Sequence, residues 1–176
     1  MIKRILFFVG LTLLSNARAE TGLSFSNVGV SKDPEHFHAY RFSIWHQPSA
    51  LKWKHIRLYF DISVGHWWIS DAIPYNQINI IAATPILRYY FVTNPYFSPF
   101  FNVGIGPSYL SRTIIDGHNL GMHFAFQDQV GIGATVGKTQ AFSILCSAFH
   151  YSNGSIGNYN SGITVPLMVT AEYRIA

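Results

Sequence analysis

The chain has 176 residues, a length suited to one domain, and it is rich in Tyr, Phe and Trp while carrying only 12 Lys and Arg against 8 Asp and Glu, a formal charge of +4. Three of the cations, Lys3, Arg4 and Arg18, lie in the first 19 residues, so the remainder holds 4 − 3 = +1 and offers no electrostatic basis for a nucleic-acid partner. Cys146 is the one cysteine, which excludes an internal disulfide, and so aromatic and charge-poor a sequence calls for an apolar solvent.

Residues 1–19 read as a signal peptide: MIKR is a positive n-region, Ile5 to Leu14 an apolar core, and Ala17-Arg18-Ala19 a small-x-small site, with cleavage before Glu20. The apolar run is short for a spanning helix, and no cysteine stands nearby to take a lipid anchor. Residues 20–176 then form one domain without an apolar run of helix-spanning length, but with repeated alternation.

That alternation predicts strands near 22–32, 36–46, 54–66, 76–92, 98–111, 121–137, 140–152 and 163–175. In the third, Ile56, Leu58, Phe60, Ile62 and Val64 alternate with His55, Arg57, Asp61, Ser63 and Gly65, as one lipid-facing and one interior side require. The fifth sets Val103, Ile105 and Tyr109 against Asn102, Gly104, Gly106 and Ser108; the sixth sets Phe124, Phe126, Val130, Ile132, Ala134 and Val136 against Gln127, Gln129, Gly131, Gly133 and Thr135. In the eighth, Leu167, Val169, Ala171, Tyr173 and Ile175 oppose Met168, Thr170, Glu172 and Arg174. Turn signals separate the strands at Asp33-Pro34, Gln47-Pro48-Ser49, Asn94-Pro95, Asp116-Gly117, Gly137-Lys138 and Asn153-Gly154. The expected fold is all-β, an eight-stranded antiparallel transmembrane β-barrel, with Trp45, Trp53, Trp67, Trp68, Tyr89 and Tyr90 as interfacial girdles. The competing architecture is a soluble β-sandwich or a lipocalin-like barrel.

The seventh strand carries the chemistry. Ile144, Cys146 and Ala148 make the even positions its lipid face, which places His150 and Ser152 there too. Two residues apart on a strand, their α-carbons are about 6.5 to 7 Å from one another, near enough for the imidazole to lean toward the hydroxyl. A neutral His beside a Ser is the pair acyl transfer needs. An H-x-S pair is also a common chance occurrence, and polar residues at a strand end are ordinary where a barrel meets headgroups.

The longer segment FHYSNGSIGNYNSGI resembles the active-site region of the outer-membrane lipid A 3-O-deacylases, the PagL family, in its His150, Tyr151, Ser152 and Asn153, then Asn160, Gly162 and Ile163. Weaker likeness extends to AATPILRYYF, PFFNVGIGPSYLS and FAFQDQVGIGATVG. The resemblance implies a serine esterase of the outer membrane that hydrolyses the 3-O-linked acyl ester of lipid A in lipopolysaccharide, works among outer-membrane lipids and needs no metal or organic cofactor. It assigns Ser152 as nucleophile and His150 as general base, and puts the oxyanion donors at Asn160 and the backbone N–H groups around Asn153 and Gly154. A homodimer is left open.

One position departs from the family, whose members carry a Glu in the last strand that orients the His; here Thr164 aligns with it. Counted back from Leu167, Thr164 falls on the inward side, unless Pro166 marks a bulge that returns it to the outer face. Glu172 is inward and eight residues away, and Asp71 and Asp116 are the remaining carboxylates to consider, both near loops. The alternative function is therefore a non-catalytic barrel, either a structural or adhesive OmpX-like protein or an inactive deacylase relative. His36, His38 and His46 are expected at a polar rim rather than around a metal, and GIGPS and GIGAT lack the helix a phosphate loop requires.

Overall fold

Eight antiparallel strands close on themselves in a computed structural model that describes residues 19–30, 37–70 and 76–175. They are β1 (Glu20–Val30), β2 (Phe37–Gln47), β3 (Ile56–Ile69), β4 (Gln77–Tyr90), β5 (Phe97–Leu110), β8 (Phe124–Val136), β9 (Phe142–Ser152) and β10 (Ile163–Arg174). Each pairs with its sequence neighbour in the barrel, and β10 closes the ring on β1. A hairpin of β6 (Ile114–Ile115) and β7 (His118–Asn119) rises from the β5–β8 connection, turning at Asp116-Gly117, both with positive φ. The signal segment, the Asp33-Pro34 turn, His36 and Asp71 lie outside the described residues.

Burial is inverted relative to a water-soluble protein. On β3, Asp61 and Ser63 are 4% and 3% exposed while Ile62 and Val64 between and beside them are 65% and 54% exposed. Water would make that arrangement unstable; hydrocarbon outside a closed ladder makes it the favourable one, because the closed sheet leaves no open edge. The soluble alternatives fail on this point, since they would bury the apolar set.

The interior is divided along its length. At the end where β9 and β10 meet the 153–162 loop it holds an apolar core of Phe37, Trp67, Ile78, Leu110, Leu120, Tyr151, Ile163 and Met168 among others. Further down it is polar, with Arg41 bound to Asp61 and Arg88 to Glu172. The girdle expectation is corrected for three residues: Trp45, Trp67 and Tyr90 point inward and are 7%, 0% and 3% exposed. Their positions share the inward parity of Asp61 and Ser63 or its equivalent on β4, and parity decides direction where aromatic character does not. Trp53 and Tyr89 are exposed, and Trp68 stacks between His38 and His66.

The β9–β10 register skips between Val165 and Met168: β10 advances three residues while β9 advances two, from Phe149 to Ser147. Pro166 sits in this bulge, where its missing N–H costs no ladder bond. Thr164 is thereby returned to the outer face, directly opposite His150.

Candidate active site

His150 and Ser152 leave β9 on its outer side, half-buried, while Phe149 and Tyr151 point inward and are 3% and 1% exposed. The inward pair anchors the outward one. Tyr151 donates its hydroxyl hydrogen to Gln127 Oε1 at 2.6 Å, Gln127 Nε2 donates to Thr84 Oγ1 at 2.8 Å, and Trp67 meets the Tyr151 ring edge-on at 4.9 Å. With Tyr151 held by a hydrogen bond and a packed ring, the backbone flanking it has one orientation, and so do the roots of His150 and Ser152.

The imidazole is fixed from β10. His150 Nδ1 lies 2.8 Å from Thr164 Oγ1, a hydrogen bond that exists because the Pro166 bulge puts Thr164 outside. When the ring donates from Nδ1 to this oxygen, Nε2 is left unprotonated and free to act as base. Gly162 closes the other side: its φ is +66°, and a Cβ there would come within 2.9 Å of His150 Cε1. Any other residue at 162 would be strained in backbone and would press on the ring.

The loop that follows is clasped by its own amides. Asn153 is fully buried; its Nδ2 donates to Leu120 O and Tyr159 O at 2.7 and 2.6 Å, and its Oδ1 accepts from Ser155 N at 2.9 Å. Its backbone N–H donates to Asn160 Oδ1 at 2.8 Å. This last bond settles the Asn160 amide, since only the oxygen can accept, and leaves Nδ2 as the donor end. The β6–β7 hairpin braces the loop through Ser161 N to Asn119 O at 3.0 Å and through His118 Nδ1, 3.0 Å from Gly162 O. Asp116 is at the tip of that hairpin, two residues from the brace, and Glu172 faces the lumen, bound to Arg88. The carboxylates weighed from the sequence therefore stand at a hairpin tip, in the lumen or outside the described residues.

A carboxylate that sequence reasoning passed over lies across the ladder from His150. Asp128 on β8 pairs directly with His150 in the β8–β9 ladder, and both are on the outer face. The signal was present: Asp128 has the even parity of Val130 and Ile132 and so is a charge on the lipid side of its strand.

From His150, Thr164 and Asp128 an outer groove of about 520 Å³ runs across the barrel wall, floored by Ala148, Val130, Val103, Ile105, Leu87 and Leu58. Its lining is almost wholly apolar, which suits a hydrocarbon chain and little else. A second cavity, of about 390 Å³, lies inside the opposite end of the barrel among Glu20, Lys52, Arg57, Arg88 and Arg174; His150 and Ser152 do not border it.

Comparison with known proteins gives a family and a fold. Residues 37–174 match the family model described as lipid A 3-O-deacylase (PagL). Lipid A deacylase PagL of Pseudomonas aeruginosa is 31% identical over 83 residues, which is 47% of this chain and 46% of that protein, so the match spans about half the length of the relative. The crystal structure of the outer membrane enzyme PagL superposes with a TM-score of 0.66 at 23% identity, covering 89% of this chain and 99% of that one. Neisserial surface protein A shares the fold at a TM-score of 0.55 and 10% identity over 89% of this chain and 96% of its own. With the family model covering residues 37–174, well over half of the 176, the chain belongs to the lipid A 3-O-deacylase (PagL) family.

Proposed function

We propose that this chain is an outer-membrane serine esterase that removes the 3-O-linked acyl chain of lipid A, exported by residues 1–19. The observation that carries the reading is the placement of His150 and Ser152 on the lipid-facing side of β9, with His150 bordering an apolar groove and its ring held by Thr164. A soluble substrate would be met from the lumen or a loop; a site on the outer wall meets its substrate in the membrane. In this mechanism His150 Nε2 takes the Ser152 proton as Oγ attacks the ester carbonyl, then returns it to the departing lipid A hydroxyl. Water, activated by the same imidazole, releases the fatty acid from Ser152. The acyl chain lies in the groove throughout.

The oxyanion needs donors aimed at it, and Asn160 Nδ2 with the Gly154 N–H are the groups assigned here, since the Asn153 N–H is engaged by Asn160 Oδ1. Asn160→Asp keeps the acceptor for Asn153 and removes the donor. It is expected to lower turnover by about 10²- to 10³-fold, measured as fatty acid released from purified lipid A, with the folded barrel retained.

The direct test is mass spectrometry of lipid A from a Gram-negative host that expresses the chain. Loss of the mass of one 3-linked hydroxyacyl group is the expected result. Unchanged lipid A would instead support a non-catalytic barrel, the reading that Thr164 in place of the family's Glu keeps open.

A further inference from the structure

We propose that the mouth of the barrel opposite the His150 end is a binding site for a small phosphate-bearing anion, held by Arg57, Arg174 and Lys52. The inference stands apart from the deacylase reading, since neither His150 nor Ser152 borders this cavity.

The compartment it opens to follows from the connections. β1 begins and β10 ends at this mouth, which the short connections 91–96 and 137–141 cross, whereas the His150 end carries 111–123 and 153–162. Outer-membrane barrels keep their short turns on the periplasmic side, so this cavity of about 390 Å³ faces the periplasm. It has the size of a small-molecule site.

Its charge is out of balance, while the other charged sets of the described lumen are matched. Arg41 has Asp61 and Arg88 has Glu172, one carboxylate to each cation. At the mouth Glu20 serves three: Lys52 Nζ donates to its Oε1 at 2.8 Å, Arg174 Nη1 lies 3.4 Å from the same oxygen, and Arg57 Nη1 lies 3.6 Å from Oε2. Two positive charges are left over. Release of residues 1–19, as the export reading has it, adds a third, because the new α-amino group belongs to Glu20 itself. Cations crowded round one carboxylate repel each other, and a half-buried cavity screens that repulsion less than bulk water does. A second anion among them relieves it.

The arginines are already held in position. The Arg57 guanidinium lies over the Tyr90 ring, 4.5 Å from its centre, and Arg174 Nη2 donates to Thr139 O in the 137–141 turn. An isolated bridge between Lys52 and Arg57 brings the third cation alongside. Side chains held in advance lose less freedom on binding, and a guanidinium fork matches two oxygens of one phosphate. A phosphate monoester carries close to two negative charges at neutral pH, which meets the excess, where a carboxylate brings one. Trp45 lines the same cavity, 7% exposed, and its Nε1 hydrogen has no acceptor among the described residues, so the wall holds an unpaired donor besides the cations.

The test titrates the purified chain, folded in nonionic micelles at low salt, with glycerol 3-phosphate, and follows heat and Trp fluorescence. Saturable binding is expected, with none for glycerol. Arg57→Gln and Arg174→Gln should each weaken it by about 10- to 100-fold, as loss of a hydrogen bond to a charged group does. Arg57→Lys, which keeps the charge and loses the fork, should fall between, and it is the variant to read where Arg57→Gln does not fold. Glu20→Gln removes the competing carboxylate and should tighten binding, an outcome a merely structural ion cluster does not give. Lys54→Gln, at an exposed cation of the β2–β3 connection outside the cavity, should stay within about twofold of wild type. Phosphatidylglycerol mixed into the micelles identifies the source of the phosphate: competition with glycerol 3-phosphate assigns the site to a lipid headgroup and no competition to a soluble ligand, and both support it. Absence of saturable binding, equal affinities in wild type and both Gln variants of the arginines, an equal loss in Lys54→Gln, or binding by Glu20→Gln no tighter than wild type would overturn the proposal.

Discussion

Ser152→Ala is expected to abolish release of the 3-linked acyl chain and to leave a barrel that still migrates as a folded, heat-modifiable species. The two halves of this outcome have separate causes. Ser152 ends β9 on the outer face, half-buried, with no bond of its own to the clasp that Asn153 forms with Leu120, Tyr159 and Ser155. Deleting its hydroxyl removes the proposed nucleophile but no core contact, and a surface change of that kind alters stability by less than about 0.5 kcal/mol. His150→Ala should be as inactive, because without a base the hydroxyl remains protonated at neutral pH. The pair acts as one unit, so Ser152→Ala with His150→Ala should be no worse than either alone. Residual deacylation by Ser152→Ala within tenfold of wild type would remove Ser152 from the mechanism.

The strands, their lipid-facing sets and the outward direction of His150 and Ser152 were legible in the sequence because a strand has period 2, and one buried side imposes that period on composition. β3 shows it most plainly, with Asp61 and Ser63 inward and Ile62 and Val64 outward. Legibility ended where a residue's neighbours lie on another strand. The Asp128 partner of His150 is 22 positions away in the chain and adjacent only through the β8–β9 register. No local pattern encodes that pairing, although a carboxylate with lipid-side parity was a warning. Thr164 was ambiguous for a different reason: its face depended on whether Pro166 carried a bulge, and one extra residue inverts every side chain beyond it. The inward turn of Trp67 was missed because an aromatic near a strand end suits a membrane girdle and an apolar core equally well, whereas its parity matched the core.

Replacing Glu172 alone should cost the barrel about 3 to 5 kcal/mol, the largest stability loss expected of any single change in the lumen. The last strand's sequence suggested that Glu172 belongs to an inward charged set with Arg174, but its partner is Arg88 on β4, across the barrel. Arg88 Nη2 donates to Glu172 Oε1 and Oε2 at 2.9 and 2.8 Å, its Nε donates to Asn102 Oδ1 at 2.8 Å, and its guanidinium lies 3.8 Å from the centre of the Phe100 ring. Two of the three guanidinium nitrogens and one face of the cation are therefore used, and Arg88 is 4% exposed. Glu172→Gln leaves the guanidinium charged, buried and uncompensated, which is why its cost exceeds the worth of the bond itself. Arg88→Met with Glu172→Leu removes both charges and should recover most of the loss, since neither partner then demands solvation. Unfolding in urea, followed by Trp fluorescence in micelles, distinguishes these cases: a low midpoint for the single variant and a near-normal one for the double. Equal midpoints for Glu172→Gln and wild type would mean that the lumen is wet enough to solvate Arg88. Because Glu172 and Thr164 share β10 while the Pro166 bulge lies between them, the double variant should also keep its deacylation rate. The strut holds the strand in the barrel; the bulge and the ladder to β9 hold Thr164 against the imidazole.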